Sequence, residues 1–214
     1  MINFEFAKND MIRKQLYNRG IGDPRVLEAF RKIDRHLFVG EDIIDQSYDD
    51  NALPIGHGQT ISQPYITALM TELLNPEKDE VILEIGTGSG FQAAILSTMA
   101  KFVVSIEKIR ELYDIAKKNI AKLNIENIET FVADGTLGWK SNAPYDGIIV
   151  TAGSPEIPKL LLDQLKPGGR MLIPLGREAF HVLTLVLKTE DGYTQEEIMD
   201  CTFVPLIGRG FAEN

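Results

Sequence analysis

A single cysteine, Cys201, carries all the thiol chemistry of the chain. One cysteine excludes an internal disulfide, and with it a secreted scaffold stapled by bridges. It lies in a strand-like run and reads as packing rather than as a nucleophile. Basic charge is also short: 22 Lys and Arg stand against 31 Asp and Glu, a net charge of −9. Such a surface repels phosphates and anionic lipid, so neither nucleic acid nor membrane is expected as a partner. No basic block or basic amphipathic helix offsets this. Long apolar runs are missing too; stretches such as Gly147–Val150 fall far below the ~20 residues that span a bilayer. The start, Met1-Ile-Asn-Phe-Glu5, lacks the basic residues and apolar core of a signal peptide. The cytoplasm is the simplest location and a monomer the expected state. There is no internal repeat and no low-complexity tract, and no metal is expected.

What is present fits one α/β domain. At 214 residues the chain can bury a sizeable core. Residues 8–19 read as a helix. A second starts at Asp23-Pro24, an N-cap followed by proline at the first helical position, and Val26, Leu27, Phe30 and Ile33 recur at helical spacing. Residues 40–63 show little periodicity and are rich in Asp, Gly and Pro; loops of that length are usually functional or disordered. Ile66, Leu69, Met70 and Leu73 restore a helix that Asn75-Pro76 ends. Strands and helices then alternate: strand 81–85, helix 91–99, strand 102–107, helix 109–123, strands 128–132 and 145–151, helix 156–165 and, after the turn Lys166-Pro-Gly-Gly169, strand 170–175. Strands 180–188 and 193–204 flank a hairpin signal at Glu190-Asp-Gly192. The pattern predicts a Rossmann-like, mostly parallel sheet with helices on both faces and an antiparallel end. Residues 1–75 would form N-terminal helices and a substrate loop, and residues 76–214 the cofactor-binding sheet and last strands.

The most informative stretch is Val81-Ile-Leu-Glu-Ile-Gly-Thr-Gly-Ser-Gly90. A buried-strand run meets an acid, Glu84, and then breaks into glycines at alternate positions. Glycine turns sharply and leaves no Cβ between backbone and ligand, and the helix that follows points free N–H groups at the turn. Dinucleotide sites use Gly-x-Gly-x-x-Gly and want no carboxylate beside a pyrophosphate. Here the spacing is Gly86-x-Gly88-x-Gly90, with Thr87 between the first two glycines and Glu84 just ahead. S-adenosyl-L-methionine has no phosphate; its sulfonium cation and zwitterionic amino acid suit an acidic strand end. Read alone, the triplet also fits an ordinary strand-to-helix turn. Two further strand ends favour the cofactor. Glu107 closes the next strand 21 residues after Gly86, about the distance at which a carboxylate grips ribose hydroxyls. Asp134-Gly135 follows a third strand, where Asp134 would accept from an adenine amino group and Gly135 allow close approach.

The acceptor is read from the loop Asn51–Tyr65. No lysine, cysteine, aspartate or glutamate falls between Ala52 and Glu72; His57 and the Tyr65 phenol are the titratable side chains there. Methylating an amine or alcohol usually needs a base, and methylating carbon usually needs an activator. A carboxylate is already ionised at neutral pH and needs only alignment with the sulfonium methyl. Gln59, Thr60 and Ser62 offer neutral donors for that task. The rival base is His57, and the rival role for Ser62 is a helix N-cap before Pro64.

The loop Leu53-Pro-Ile-Gly-His-Gly-Gln-Thr-Ile-Ser-Gln-Pro-Tyr65 resembles the signature of the protein-L-isoaspartate (D-aspartate) O-methyltransferases, with its bacterial-type members. Val81–Gly90, Tyr145-Asp-Gly-Ile-Ile-Val-Thr-Ala152, Leu165-Lys-Pro-Gly-Gly-Arg-Met-Leu-Ile-Pro-Leu-Gly176 and Phe203-Val-Pro-Leu206 resemble further motifs of that family. The glycine and Lys-Pro-Gly-Gly motifs are common to many methyltransferases, whereas Gly58-Gln-Thr-Ile-Ser-Gln-Pro64 is specific. The resemblance implies a repair enzyme. It would methylate the α-carboxylate freed at isoaspartyl and D-aspartyl residues of damaged proteins and peptides, giving S-adenosyl-L-homocysteine and an ester that closes to a succinimide. It implies Ser62 as the active-site serine, with Thr60 and Ile61 near substrate and cofactor. Glu84, Gly86, Thr87, Gly88, Gly90, Glu107, Asp134 and Gly135 would be the cofactor contacts. Val204 is expected at the substrate, with a peptide lying extended against the edge Val204–Leu206. The alternatives are a small-molecule or RNA methyltransferase, a NAD-dependent dehydrogenase, or a non-catalytic binding protein on the same fold.

Overall fold

The computed structural model describes residues 3–178 and 180–211. A seven-stranded sheet has the order β5-β4-β3-β6-β7-β8-β9. Its strands are β3 (Val81–Ile85), β4 (Phe102–Glu107), β5 (Ile128–Val132), β6 (Tyr145–Val150), β7 (Leu165–Arg177), β8 (Phe180–Lys188) and β9 (Tyr193–Cys201). β5 through β7 pair in parallel, and β8 and β9 add on antiparallel. The expected sheet is therefore present. The chain leaves β3 to one side for β4 and returns to its other side for β6. At such a reversal the loops diverge and open a crevice at the carboxyl ends of the strands.

Strand alternation divides the core. Ile82, Val103, Ile149 and Leu172 face α3 (Pro64–Leu74) and α4 (Phe91–Ser97) through Met70, Leu74, Ala93 and Leu96. Leu83, Ile85, Val104, Ile106, Ile148 and Val150 face the other way, toward Leu161 of α6 (Lys159–Gln164). Each side chain so buried contributes roughly 1.5–3 kcal/mol. Both faces are covered, which is why these strands are nearly continuous apolar runs. The remaining helix, α5 (Arg110–Lys122), buries Leu112, Ala116 and Ile120.

The N-terminal region departs from expectation in two places. α1 (Phe4–Met11) begins four residues early because the Asn3 side chain caps the Phe6 N–H at 3.0 Å. It loosens into a π turn at Ile12–Leu16 and a 3-10 turn at Tyr17–Arg19. α2 (Pro24–Lys32) starts behind its Asp23 cap as expected. Residues 40–63 are not an unstructured loop: they hold a 3-10 turn at Glu41–Gln46 and a hairpin of β1 (Leu53–Gly56) and β2 (Gln59–Ile61). Strands this short leave no alternation to read.

Four later bounds also shift. α4 ends at Ser97, two residues early, and α6 starts only after Pro158. β7 takes in Lys166–Gly169, which the ladder skips: Tyr145 pairs with Leu165 and Gly147 with Arg170. β9 stops at Cys201, and residues 204–206 cross to Gly153, whose N–H donates to the Val204 carbonyl at 2.8 Å. No helix of the described residues is long and apolar enough to cross a membrane.

Candidate active site

The crevice between β3 and β6 is a cavity of about 330 Å³, lined among others by Gly86, Gly88, Glu107, Gly135, Thr60 and Val204. β3 feeds directly into its floor. After Ile85 the chain turns at Gly86 (φ +98°), and the N–H groups of Gly86 and Thr87 both donate to the Ile106 carbonyl, at 2.8 and 3.2 Å. Gly88 (φ +54°) follows at the wall. Gly90 is not on that wall; it N-caps α4, and a Cβ there would stand 3.3–3.4 Å from Ile120 and Ala116 of α5. Thr87 is buried, with its hydroxyl 2.6 Å from that of Ser105, and it lines the narrow cleft between the turn and Ser62.

Glu107 is the electrostatic centre of the cavity. One carboxylate oxygen accepts from the Gly88 N–H at 2.8 Å; the other accepts from the N–H groups of Lys108 and Ile109 at 2.8 and 2.9 Å. With three of its roughly four acceptor sites taken, the carboxylate has one left, on the oxygen beside Gly88, for a ligand hydroxyl, and it repels a pyrophosphate. Ile106, Ile109 and Leu112 supply an apolar wall beside it. A ribose carrying a flat base and no phosphate, as in S-adenosyl-L-methionine, fits this donor and acceptor set.

Glu84 is placed differently from expectation. Side chains alternate along a strand, so Ile85 lines the cavity and Glu84 points the other way, beneath α4. It is fully buried, accepts a short hydrogen bond from the Ser105 hydroxyl, and leaves Oε1 without a partner. Burial, with Glu107 nearby, pushes its pKa up to about 8. A protonated acid under the turn offers no charge to a sulfonium. The consequence for stability has a definite sign. The folded chain keeps a proton that the unfolded chain releases near 4.3, so this contribution is full below that pH and is lost as pH rises through about 8. The melting temperature of Glu84→Gln relative to the parent is therefore expected to rise from pH 5 to pH 9. A pH-independent difference would show that Glu84 is ionised in the fold.

Asp134 is also engaged elsewhere. Its Oδ1 accepts from the N–H (3.1 Å) and hydroxyl (2.5 Å) of Thr136, and its Oδ2 from the Arg209 N–H at 2.7 Å. It lies beside the cavity rather than on it, while Gly135 reaches the wall. The tail that covers Asp134, residues 207–210, carried no readable signal; residues 212–214 lie outside the described part.

A second cavity, about 350 Å³, runs from residues 50–52 past Ser62 to Met199–Val204. It shares Thr60, Thr151 and Val204 with the first. β2 brings Thr60 and Ile61 to this junction; Ile61 is buried and anchors the loop, and Ser62 follows on the wall. The N-cap of α3 is Gln63, with no side-chain cap bond, so the Ser62 hydroxyl is not engaged in capping. His57 sits exposed at the hairpin tip with φ +53° and lines neither cavity. Burial pushes the Cys201 thiol up to about 11, so it lies in the groove wall as a neutral thiol. The main-chain edge expected to read a peptide is partly taken: the Val204 carbonyl and Leu206 N–H bond Gly153 at 2.8 and 2.7 Å. The Val204 side of the groove remains, but not those two groups.

Sequence reasoning missed Thr151 and Arg35. The single Thr151 hydroxyl proton is shared between the carbonyls of Ile85 and Gly86, at 3.0 and 2.8 Å, and stitches β6 to the glycine turn. A polar residue at a fourth strand end was the signal for it. Arg35 had none, since in Arg31-Lys-Ile-Asp-Arg35 it looks like surface charge.

Residues 6–210 match the family Protein-L-isoaspartate(D-aspartate) O-methyltransferase. A protein-L-isoaspartate O-methyltransferase of Trichlorobacter lovleyi is 50% identical over 210 residues, covering 98% of this chain and 97% of the relative. A solved protein-L-isoaspartate O-methyltransferase superposes with a TM-score of 0.86 at 30% identity, over 94% of this chain and 66% of that one. A structure from Plasmodium falciparum, provisionally assigned to the same enzyme and holding S-adenosyl-L-homocysteine, shares the fold with a TM-score of 0.82 at 23% identity, over 97% and 99% of the two chains. The chain belongs to the protein-L-isoaspartate(D-aspartate) O-methyltransferase family.

Proposed function

We propose that Ser62, flanked by Thr60 and Ile61, seats the isoaspartyl carboxylate in this S-adenosyl-L-methionine-dependent protein-repair methyltransferase. The observation that carries the reading is the wall shared by two cavities. One suits the cofactor, the other runs past Ser62, and Thr60, Thr151 and Val204 line both. When bound, the cofactor supplies an electrophilic methyl on a sulfonium. Everything else falls to the chain. Glu107 takes a ribose hydroxyl, and Gly86, Gly88 and Gly135 let the backbone approach. Gly90 serves through packing, Thr87 lines the connecting cleft, and Glu84 and Asp134 brace the turn and the tail. The Ser62 hydroxyl donates to one substrate oxygen and aims the other along the line of attack. No base takes part, because the acceptor is already an anion. Damaged proteins with isoaspartyl residues are the partners, recognised locally because long-range steering between two acidic molecules is unfavourable. We read the chain as one methyltransferase domain and as a cytoplasmic monomer, on its lone cysteine and acidic surface.

Ser62→Ala is expected to lower kcat on an isoaspartyl peptide about tenfold or more, with S-adenosyl-L-homocysteine affinity within about twofold. The assay uses labelled S-adenosyl-L-methionine and paired Asp and isoAsp peptides, with base-labile label expected on the isoAsp peptide alone. Unchanged turnover of the variant would reject the role of Ser62.

A further inference from the structure

Arg35 is fully buried, in the 3-10 turn Arg35–Phe38 after α2. Each of its nitrogen positions donates to a backbone carbonyl: Nε to Ser47 at 2.8 Å, one Nη to Ser62 at 2.8 Å, and the other to Asn51 at 3.2 Å. Its guanidinium also lies 5.3 Å from the ring centroid of Phe91, the first residue of α4 beyond the glycine turn. Among the described residues no carboxylate forms an ion pair with it. Asp50 on the loop acts on the Arg35 charge from a distance but is itself bound at 2.5 Å to Arg19, which in turn covers Tyr65. Burial lowers the Arg35 pKa to about 9, which still leaves a cation at neutral pH.

A buried cation with no carboxylate in direct contact costs several kcal/mol after relaxation. Three carbonyl dipoles and an aromatic face offset part of that, yet a neutral side chain with the same donors would brace the loop without the cost. The charge lies one hydrogen bond behind Ser62. We propose that Arg35 is a positioning residue whose unpaired charge draws the substrate carboxylate to Ser62 while its three carbonyl bonds keep the guanidinium itself off the acceptor oxygens. This rests on the reading that Ser62 seats the carboxylate.

The division of labour has a chemical reason. A guanidinium bonded directly to the acceptor would hold it tightly and lower its nucleophilicity. A charge held behind the serine attracts the anion and leaves the attacking oxygen free. Methyl transfer from sulfonium to carboxylate neutralises charge, so the field acts on the bound anion more than on the transition state. Loss of the charge therefore shows mainly in substrate affinity, and loss of the loop bonds shows in kcat.

The test uses the full chain loaded with S-adenosyl-L-homocysteine. Calorimetry compares an isoaspartyl peptide with the same peptide carrying an α-carboxamide in place of the carboxylate. For Arg35→Met the dissociation constant of the acid is expected to rise about tenfold and that of the amide to stay within about twofold. Arg35→Lys keeps the charge and is expected to hold the acid within about threefold while kcat falls. If Arg35→Met does not fold, Arg35→Gln replaces it, neutral but able to donate to two of the carbonyls. Equal weakening of both peptides, or of neither, would overturn the proposal by making Arg35 a loop brace alone. Because calorimetry involves no turnover, failure of the Ser62 reading appears separately, as unchanged kcat in Ser62→Ala.

Discussion

Glu107→Gln is expected to raise the dissociation constant for S-adenosyl-L-homocysteine about 100-fold. The substitution keeps shape and changes one group. The oxygen that accepts from Lys108 and Ile109 can remain an oxygen, and the backbone bonds at 2.8 and 2.9 Å then survive. The other position becomes an NH₂ facing the Gly88 N–H, now 2.8 Å from a carboxylate oxygen. Two donors oppose each other, so the turn shifts. The amide also cannot accept from a ribose hydroxyl on that side. Hydrogen bonds to a charged acceptor are worth about 1.5–3 kcal/mol each, and a net loss of about 2.7 kcal/mol is a factor of about 100. Titration calorimetry checks it. A dissociation constant within threefold of the parent would mean that Glu107 braces the turn and does not touch the cofactor.

Gly86→Ala tests the turn through stability as well as binding. Gly86 has φ +98°, and a Cβ there would overlap the Thr151 hydroxyl, which is bonded to two carbonyls of the same turn. The left-handed conformation costs an L residue roughly 1–2 kcal/mol, and displacing Thr151 breaks the hydroxyl bond it shares between two carbonyls. A total near 3 kcal/mol lowers the melting temperature of a chain this size by roughly 6–12 °C. Two glycines separate the contributions. Gly58 has φ +70° with nothing within 4 Å of an added Cβ, so Gly58→Ala carries only the conformational cost. Gly192 has open space and no positive φ, so Gly192→Ala should stay within about 0.5 kcal/mol. If Gly86→Ala melts within 2 °C of Gly58→Ala, the Thr151 contact is not what holds the turn.

The two predictions mark a boundary in how the chain can be read. Glu107 and the glycines were legible because each stands at the end of a buried strand. Parallel strands covered on both faces are continuous apolar runs, and any polar residue that interrupts such a run at its carboxyl end stands out. The specific loop Gly58–Pro64 was legible as a pattern, and the lack of a base there as chemistry. The family follows from these local features.

Three-dimensional placement decided the rest. Whether an acidic strand end meets the ligand depends on strand parity, which put Ile85 on the cavity and turned Glu84 beneath α4. Asp134 met a tail 75 residues later in the chain. The hairpin Leu53–Ile61 is too short to carry a periodic signal, yet it sets Thr60 between two cavities. Arg35 reached three carbonyls spread over residues 47–62. Composition and local pattern determine elements, cofactor class and reaction, because those depend on neighbours along the chain. Which charged group faces solvent, ligand or core depends on contacts between distant segments, and only packing fixes those.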